Sequence, residues 1–342
     1  MTTAYVTHSD YTVHNLPGHP EHAGRIRAVW QAIEDAGLHH RLKTLSAQPI
    51  TNERILSVHT RDYLALLEEI SGYEVGVRLD SDTYVLPESP EIARLSAGGV
   101  ICAVDAVMRR EADNALAAVR PPGHHAIPER GMGFCLLGNI AIAARHAQNV
   151  YNIERVMIVD FDVHHGNGTQ DMFYDDDSVL FISTHQFPYY PGTGALKDTG
   201  QGKGRGYTLN IPLNSSYGDS GFAQIYEKII WPAARRFQPQ LILVSAGFDA
   251  HWVDPLAMMA LSLKGYSHIT RELIRMAQEL CEGKIVFVME GGYDLKALAH
   301  GMVNIAHALL GGDTISDPLG PPSQREPDVS KLIEQVRQIH DL

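Results

Sequence analysis

One run of the sequence, DFDVHH (160–165), holds two carboxylates and two imidazoles. Asp162 and His164 are spaced i and i+2, which in an extended chain turns both side chains to one face. A carboxylate oxygen and an imidazole nitrogen can then meet one metal ion, and Asp249, at the end of LILVSAGFD (241–249), offers a third ligand from a neighbouring strand. One histidine and two carboxylates leave coordination positions open, as a catalytic metal centre requires. RPPGHHA (120–126) adds His124 and His125. Adjacent histidines do not easily chelate one ion, but they can stand along a substrate as general base and as acid or electrostatic partner. Each then needs an acceptor on its other ring nitrogen, and Asp160 and Asn167 lie in the loop that could supply both. In GGYD (291–294) two glycines permit close backbone approach, and the Tyr293 hydroxyl can donate to an oxyanion. Taken singly, each motif also reads as a solvated loop, a surface turn or a packed ring.

Two glycine-rich segments carry aromatic side chains, GMGFC (131–135) and PYYPGTG (188–194). Phe134 and Tyr190 could wall a narrow apolar channel, or simply cap the core. GQGKGRG (200–206) is glycine-rich and basic but lacks the spacing of a phosphate-binding P-loop.

The elements that must position these residues alternate. Strand-like runs fall at 115–119, 155–163, 179–184, 206–213, 241–249 and 284–294; helical spacing falls at 138–151, 222–237 and 267–283. RVMIV, LILVSAG and KIVFVME are almost continuously apolar, as parallel strands covered on both faces are. The alternation predicts an α/β fold with a mainly parallel sheet. Ligands of such sheets bind beyond the carboxyl ends of the strands, where DFDVHH, GFDAH, EGGYD and RPPGHHA would converge. The loop 317–330 leads to a short amphipathic helix, KLIEQVRQIHDL.

With 342 residues, 44% hydrophobic and 20% charged, the chain reads as a soluble globular protein with a sizeable core. A net charge of −12 argues against sequence-independent nucleic-acid binding. No apolar run is long enough for a bilayer, and MTTAYVTHSDY has neither the basic nor the apolar region of a secretory signal. Cys102, Cys135 and Cys281 are far apart with no C-x-x-C, which points to a reducing compartment, the cytoplasm, and to no cysteine-based zinc site.

Together, RPPGHHA, GMGFCLLGNIAIAA, DFDVHHGNGTQDMFY, PGTG, SAGFDAHWVDPLA and MEGGYDL resemble the histone deacetylase superfamily, within the arginase/deacetylase fold. The similarity runs from about GHPEHAGRI (18–26) to about residue 310. Asn167, where class I members have Asp, makes the chain look like the class II branch and its bacterial amidohydrolase relatives. The resemblance implies a single three-layer catalytic domain over 1–342, with a mainly parallel sheet of about eight strands between helices.

It further implies Zn²⁺, with Fe²⁺ as the alternative ion, on Asp162, His164 and Asp249. His124 and His125 match the tandem catalytic pair, with His125 the general base; Asp160 matches the partner of His124, Asn167 stands where the partner of His125 would be, and Tyr293 matches the catalytic tyrosine. One or two K⁺ sites follow: Asp160, Asp162, His164, Ser183 and Thr184 for the inner, Phe173, Asp176, Val179 and Tyr207 for the outer. Gly133, Phe134 and Tyr190 match the channel for lysine methylenes, and Asp82 loosely matches the rim carboxylate that grips substrate backbone.

The implied reaction removes acetyl or another short acyl group from an acylated amine, an acyl-lysine peptide or a small amine. Polyamine-selective relatives carry Glu in the D-P-x segment, and here Leu256 stands there, which leans towards acyl-lysine over acetylpolyamine. A dinuclear ureohydrolase would need further bridging carboxylates, and a non-catalytic acyl-lysine binder would be expected to have lost Tyr293 or a metal ligand. Nucleic-acid and membrane partners are not expected; a homo-oligomer is compatible with the sequence.

Overall fold

The apolar runs pair into one sheet. The computed structural model describes residues 1–342, with strands β1 (Thr3–Thr7), β2 (Lys43–Ser46), β3 (Val77–Arg78), β4 (Tyr84–Val85), β5 (Asn114–Ala117), β6 (Val156–Asp160), β7 (Val179–Gln186), β8 (Thr208–Leu213), β9 (Leu241–Ala246) and β10 (Ile285–Met289). Eight of them form one sheet in the order β2-β1-β5-β10-β9-β6-β7-β8, with every pairing parallel. The short β3–β4 pair is a separate antiparallel hairpin.

All residues of β6, β9 and β10 are buried, so both faces of the sheet must be covered. Helices Ser89–Met108 and Asn139–Tyr151 pack together on one face; Gly24–Asp35, Leu263–Cys281 and Leu295–Leu309 pack together on the other. The result is the single three-layer α/β domain that the sequence predicts. Leu263–Cys281 shows how one layer is specified. Ser262 caps it by accepting from the amides of Lys264 and Gly265, and Tyr266, Ile269, Leu273, Met276 and Ala277 make its buried stripe. The C-terminal helix Ser330–His340 joins the same core through Ile333 and Val336.

Two sequence readings are corrected. The run 155–163 is not strand to its end, because β6 stops at Asp160. Asp160 Oδ1 accepts from the amide of Asp162 (3.1 Å), and Asp162 Oδ1 accepts from that of His164 (3.0 Å). These side-chain-to-backbone bonds turn the chain out of the ladder, so Asp162 and His164 meet on a bend and not across a pleat. Likewise β9 ends at Ala246 and Asp249 follows in a turn. The run 222–237 is helical as read, with one local widening: Asp219–Ile225 passes through a π turn, Tyr226–Ile230, into Trp231–Phe237. Pro232 follows directly on that π turn, where the ladder that proline's missing N–H would interrupt is already irregular. Elements absent from the sequence reading include β1, β2, the β3–β4 hairpin and the helices Gly24–Asp35, Arg61–Ile70, Ser89–Met108 and Leu295–Leu309.

Because every main-sheet strand is parallel, their carboxyl ends share one edge. The neighbours β5, β10, β9 and β6 deliver, in that order, the loops with His124–His125, Tyr293, Asp249 and Asp162–His164.

Candidate functional site

One carboxylate oxygen each from Asp162 and Asp249 and a ring nitrogen of His164 lie within 4.8 Å of one another, all buried. His164 Nδ1 is 3.3 Å from Asp162 Oδ1 and 3.3 Å from Asp249 Oδ2. Each carboxylate is also held by backbone: Asp249 Oδ1 accepts from the Val163 amide (2.9 Å) and Asp162 Oδ2 from the Gly291 amide (2.8 Å). Asp249 Oδ2 has no hydrogen-bond partner although it is buried. A buried orphan carboxylate oxygen beside an imidazole and a second carboxylate is a donor set that suits a divalent ion, so the residues fit the metal that the sequence suggests. Glycine is required beside them, because a Cβ at Gly291 or Gly247 would strike these carboxylates.

The two histidines differ in their partners. His124 Nδ1 is 3.0 Å from Asp160 Oδ2, and its Nε2 is 3.8 Å from Asp162 Oδ1. Burial works against its charged form, yet the carboxylates of Asp162 and Asp160 outweigh that and push its pKa up to about 10. His125 Nδ1 is 2.8 Å from Asn167 Oδ1. The Asn167 amide nitrogen faces the His125 carbonyl (3.3 Å), which fixes its oxygen as the acceptor. Nδ1 of His125 therefore carries the proton and Nε2 keeps its lone pair. Burial, then the charges of His124 and His164, hold His125 well below the usual imidazole range. The rings lie 3.9 Å apart between centroids.

Tyr293 lies between the Phe134 ring, edge-on at 5.7 Å, and the Arg25 guanidinium, 5.0 Å from its own ring centre; burial raises its phenol well above 10. Tyr190 stands edge-on to His125 at 5.2 Å and to His164 at 6.0 Å. Phe134 and Tyr190 thus flank the cluster and do more than cap the core. Gly133, at φ +54°, leaves no room for a Cβ against the His125 ring. Asp82 lies in the loop before β4, next to Thr83, whose hydroxyl accepts from the Phe134 amide (3.1 Å). Leu256 follows Asp254 closely, and its amide donates to Asp254 Oδ1 (3.0 Å).

The expected cation residues are also near one another. Asp160 and Ser183 are paired across β6 and β7, and the Thr184 hydroxyl donates to the Asp160 carbonyl (3.4 Å). Phe173 and Asp176 share a turn, the Asp176 amide donating to the Phe173 carbonyl (3.1 Å); Val179 opens β7, and the Tyr207 carbonyl accepts from Phe181 two residues further along that strand (2.9 Å).

Several residues at the site carry no motif of their own. Glu290 is fully buried; its Oε2 accepts from the amides of Gly123 (2.7 Å) and His124 (3.2 Å), tying the histidine loop to β10. Cys135, Glu290 and His124 come within 4.8 Å, but burial keeps the Cys135 thiol protonated and Glu290 already serves two amides, so this trio is a brace. Asp254 Oδ2 accepts from the amides of Tyr293 (2.7 Å) and Asp294 (3.1 Å). Beneath both loops, Arg120 grips Glu21 through two nitrogens (2.5 and 2.6 Å), Arg25 adds a third contact at 3.2 Å, and Arg25 donates to the carbonyls of Glu290 and Gly292. Glu290 alone carried a sequence signal, since a carboxylate between an apolar run and two glycines, in VFVMEGG, needs a buried partner.

Comparison with known proteins shows the family. A histone deacetylase domain model matches residues 19–309. A probable deacetylase of Archaeoglobus fulgidus is 42% identical over 317 residues, 92% of this chain and 88% of its own. A histone deacetylase-like amidohydrolase of Pseudomonas aeruginosa is 44% identical over 279 residues, 81% of this chain and 73% of its own. The crystal structure of the HDA15 HD domain superposes with a TM-score of 0.90 at 34% identity, over 99% of this chain and 94% of that one. The chain belongs to the histone deacetylase family and is a deacetylase, a hydrolase of the kind its relatives are named for.

Proposed function

We propose that the protein is a zinc-dependent amidohydrolase that removes acetyl or other short acyl groups from acyl-lysine, with 1–342 acting as one catalytic domain. The observation that carries this reading is His125. Its Nδ1 proton is committed to Asn167, so its free Nε2 faces the chemistry beside Asp162, His164 and Asp249. Those three residues would hold Zn²⁺, with Fe²⁺ the alternative, and the ion supplies Lewis acidity that lowers the pKa of water and polarises a carbonyl.

The chain's own groups do the rest. His125 Nε2 takes the proton of the attacking water as its oxygen adds to the acyl carbon. The Tyr293 hydroxyl donates to the oxyanion that forms; its high pKa keeps that proton in place. The histidine pair, with His124 held cationic by Asp160, returns a proton to the amine as the C–N bond breaks, releasing a carboxylic acid and a free amine. K⁺ at the inner site, and at a second outer one, would offset the repulsion between Asp160 and Asp162. Gly133, Phe134 and Tyr190 accept an apolar lysine stem, and Asp82 offers its carboxylate to peptide backbone.

Leu256 carries no charge for a distant ammonium, which favours acyl-lysine over acetylpolyamine. A reducing cytoplasm is the compartment we assign to it, a reading supported by three widely spaced cysteines that form no disulfide. The test is kcat/KM of the Zn²⁺-loaded enzyme on an acetyl-lysine peptide beside N-acetylated polyamines. Peptide preference, lost with a chelator and restored by Zn²⁺, is the expected result. Polyamine preference would overturn the substrate assignment, and turnover indifferent to chelation would overturn the metal.

A further inference from the structure

At the opposite edge of the sheet lies a cavity of about 870 Å³. It opens among the residues that precede or begin β6, β7 and β8 and is closed by the ends of Trp231–Phe237 and the C-terminal helix. Its volume is within the usual range, about 300–1,000 Å³, of small-molecule sites. Four cationic side chains line it: Arg155, Lys197, Arg205 and Arg236. The glycine-rich basic loop GQGKGRG, which the deacetylase reading leaves without a role, supplies Arg205 and Gly206 to its wall.

Three of the four, Lys197, Arg205 and Arg236, form no ion pair; only Arg155 has one, with Glu154. Lys197 and Arg205 make no hydrogen bond or ion pair, and Arg236 donates only to the His340 carbonyl. Arg155 donates to the Gln238 carbonyl (2.8 Å) and approaches Glu154 at 3.6 Å. Two carboxylates, Asp177 and Asp341, also border the cavity without pairing to these cations, so the lining carries a surplus of positive charge in a chain of net charge −12. His340, 5% exposed, lines the same space, and its Nε2 is buried with no partner. An apolar wall completes it, with Tyr207 and Phe237 edge to face at 5.9 Å. A chain that is acidic overall gains nothing in folding from clustering unpaired cations around a concave space, because like charges repel. A multiply charged anion would satisfy them, and the apolar wall would take an uncharged ring or stem.

We propose that this cavity binds a phosphorylated small molecule carrying at least two negative charges and an apolar or aromatic body, with ATP as its probe. The site is separate from the deacetylase centre and does not rest on the assignment of that centre.

The test is calorimetric titration of the metal-loaded full chain with ATP, pyrophosphate and adenosine at low ionic strength, on the natural protein and on the double variant Lys197→Glu/Arg205→Glu. Both residues are exposed, so the variant retains the fold and its kcat/KM on an acetylated substrate without added anion. ATP binds more tightly than pyrophosphate, adenosine does not bind, and affinity falls as salt rises. The double variant loses about a hundredfold or more, at about tenfold for each charge-assisted contact removed. No binding of ATP or pyrophosphate at millimolar concentration would overturn the proposal. So would equal ATP affinity in the double variant, which would show that the anion binds away from this cavity.

Discussion

At the scale of single residues, the site separates two chemically identical side chains by what each one faces. His124 faces a carboxylate and is held charged; His125 faces an amide oxygen and is held neutral, with Nε2 free. Tyr293 is the third such residue, and its role depends on one oxygen atom. Tyr293→Phe keeps the ring against Phe134 and Arg25 and should leave metal content, measured by elemental analysis, unchanged. Its kcat should fall about 10²–10³-fold, as for the loss of one oxyanion donor. An unchanged kcat would remove the phenol from the reaction.

At the scale of elements, the loops of the proposed catalytic centre are held from below by fully buried ionic groups. Glu21, Arg25 and Arg120 are all fully buried, and together they fix the loops after β5 and β10 relative to each other. A buried pair stabilises little against an apolar replacement of both partners, but removing one partner strands the other. Arg120→Met leaves Glu21 with Arg25 as its only close cation, and should lower the unfolding free energy in urea by about 3–5 kcal/mol. A loss under about 1 kcal/mol would mean that the network is not holding these loops.

At the scale of the whole molecule, buried neutral histidines set how the fold responds to acid. His59 is clamped between layers: Nδ1 faces the Ile127 carbonyl (3.1 Å), and Nε2 accepts from the Gly138 amide (2.9 Å). Protonation would turn Nε2 towards another donor. Burial accordingly lowers the pKa from 6.5 to about 4, with hydrogen bonds to the Pro128 and Ile127 carbonyls opposing it. The folded pKa is the lower one, so between pH 6.5 and 4 the unfolded chain binds more protons. The stabilisation is complete above pH 6.5 and is lost as pH falls towards 4, by an amount of order 3 kcal/mol. Urea unfolding across that window should show a steep fall for the natural chain and a shallower one for His59→Gln, which does not titrate. Parallel curves would assign the acid sensitivity to other groups.

The sequence by itself determined the class of fold, because continuous apolar runs separated by helical spacing have few solutions other than a covered parallel sheet. It also determined which residues gather at the edge of that sheet, because His124, Asp162, Asp249 and Tyr293 each follow an apolar run and parallel strands end together. What it left open was local and long-range at once. The bend at Asp160–His164 arises from carboxylates bonding their own backbone, which competes with the ladder at no cost visible in apolar pattern. Only tertiary structure decided that Glu290, Asp254, Glu21 and Arg25 brace the site, because the partners that tie them to its loops lie 39 to 267 residues away. The same holds for the cavity at the far edge, where Arg155, Lys197, Arg205 and Arg236 come from three separate segments. Charge at a distance in the chain has no period to read, and its meaning is fixed when folding removes the water between the groups.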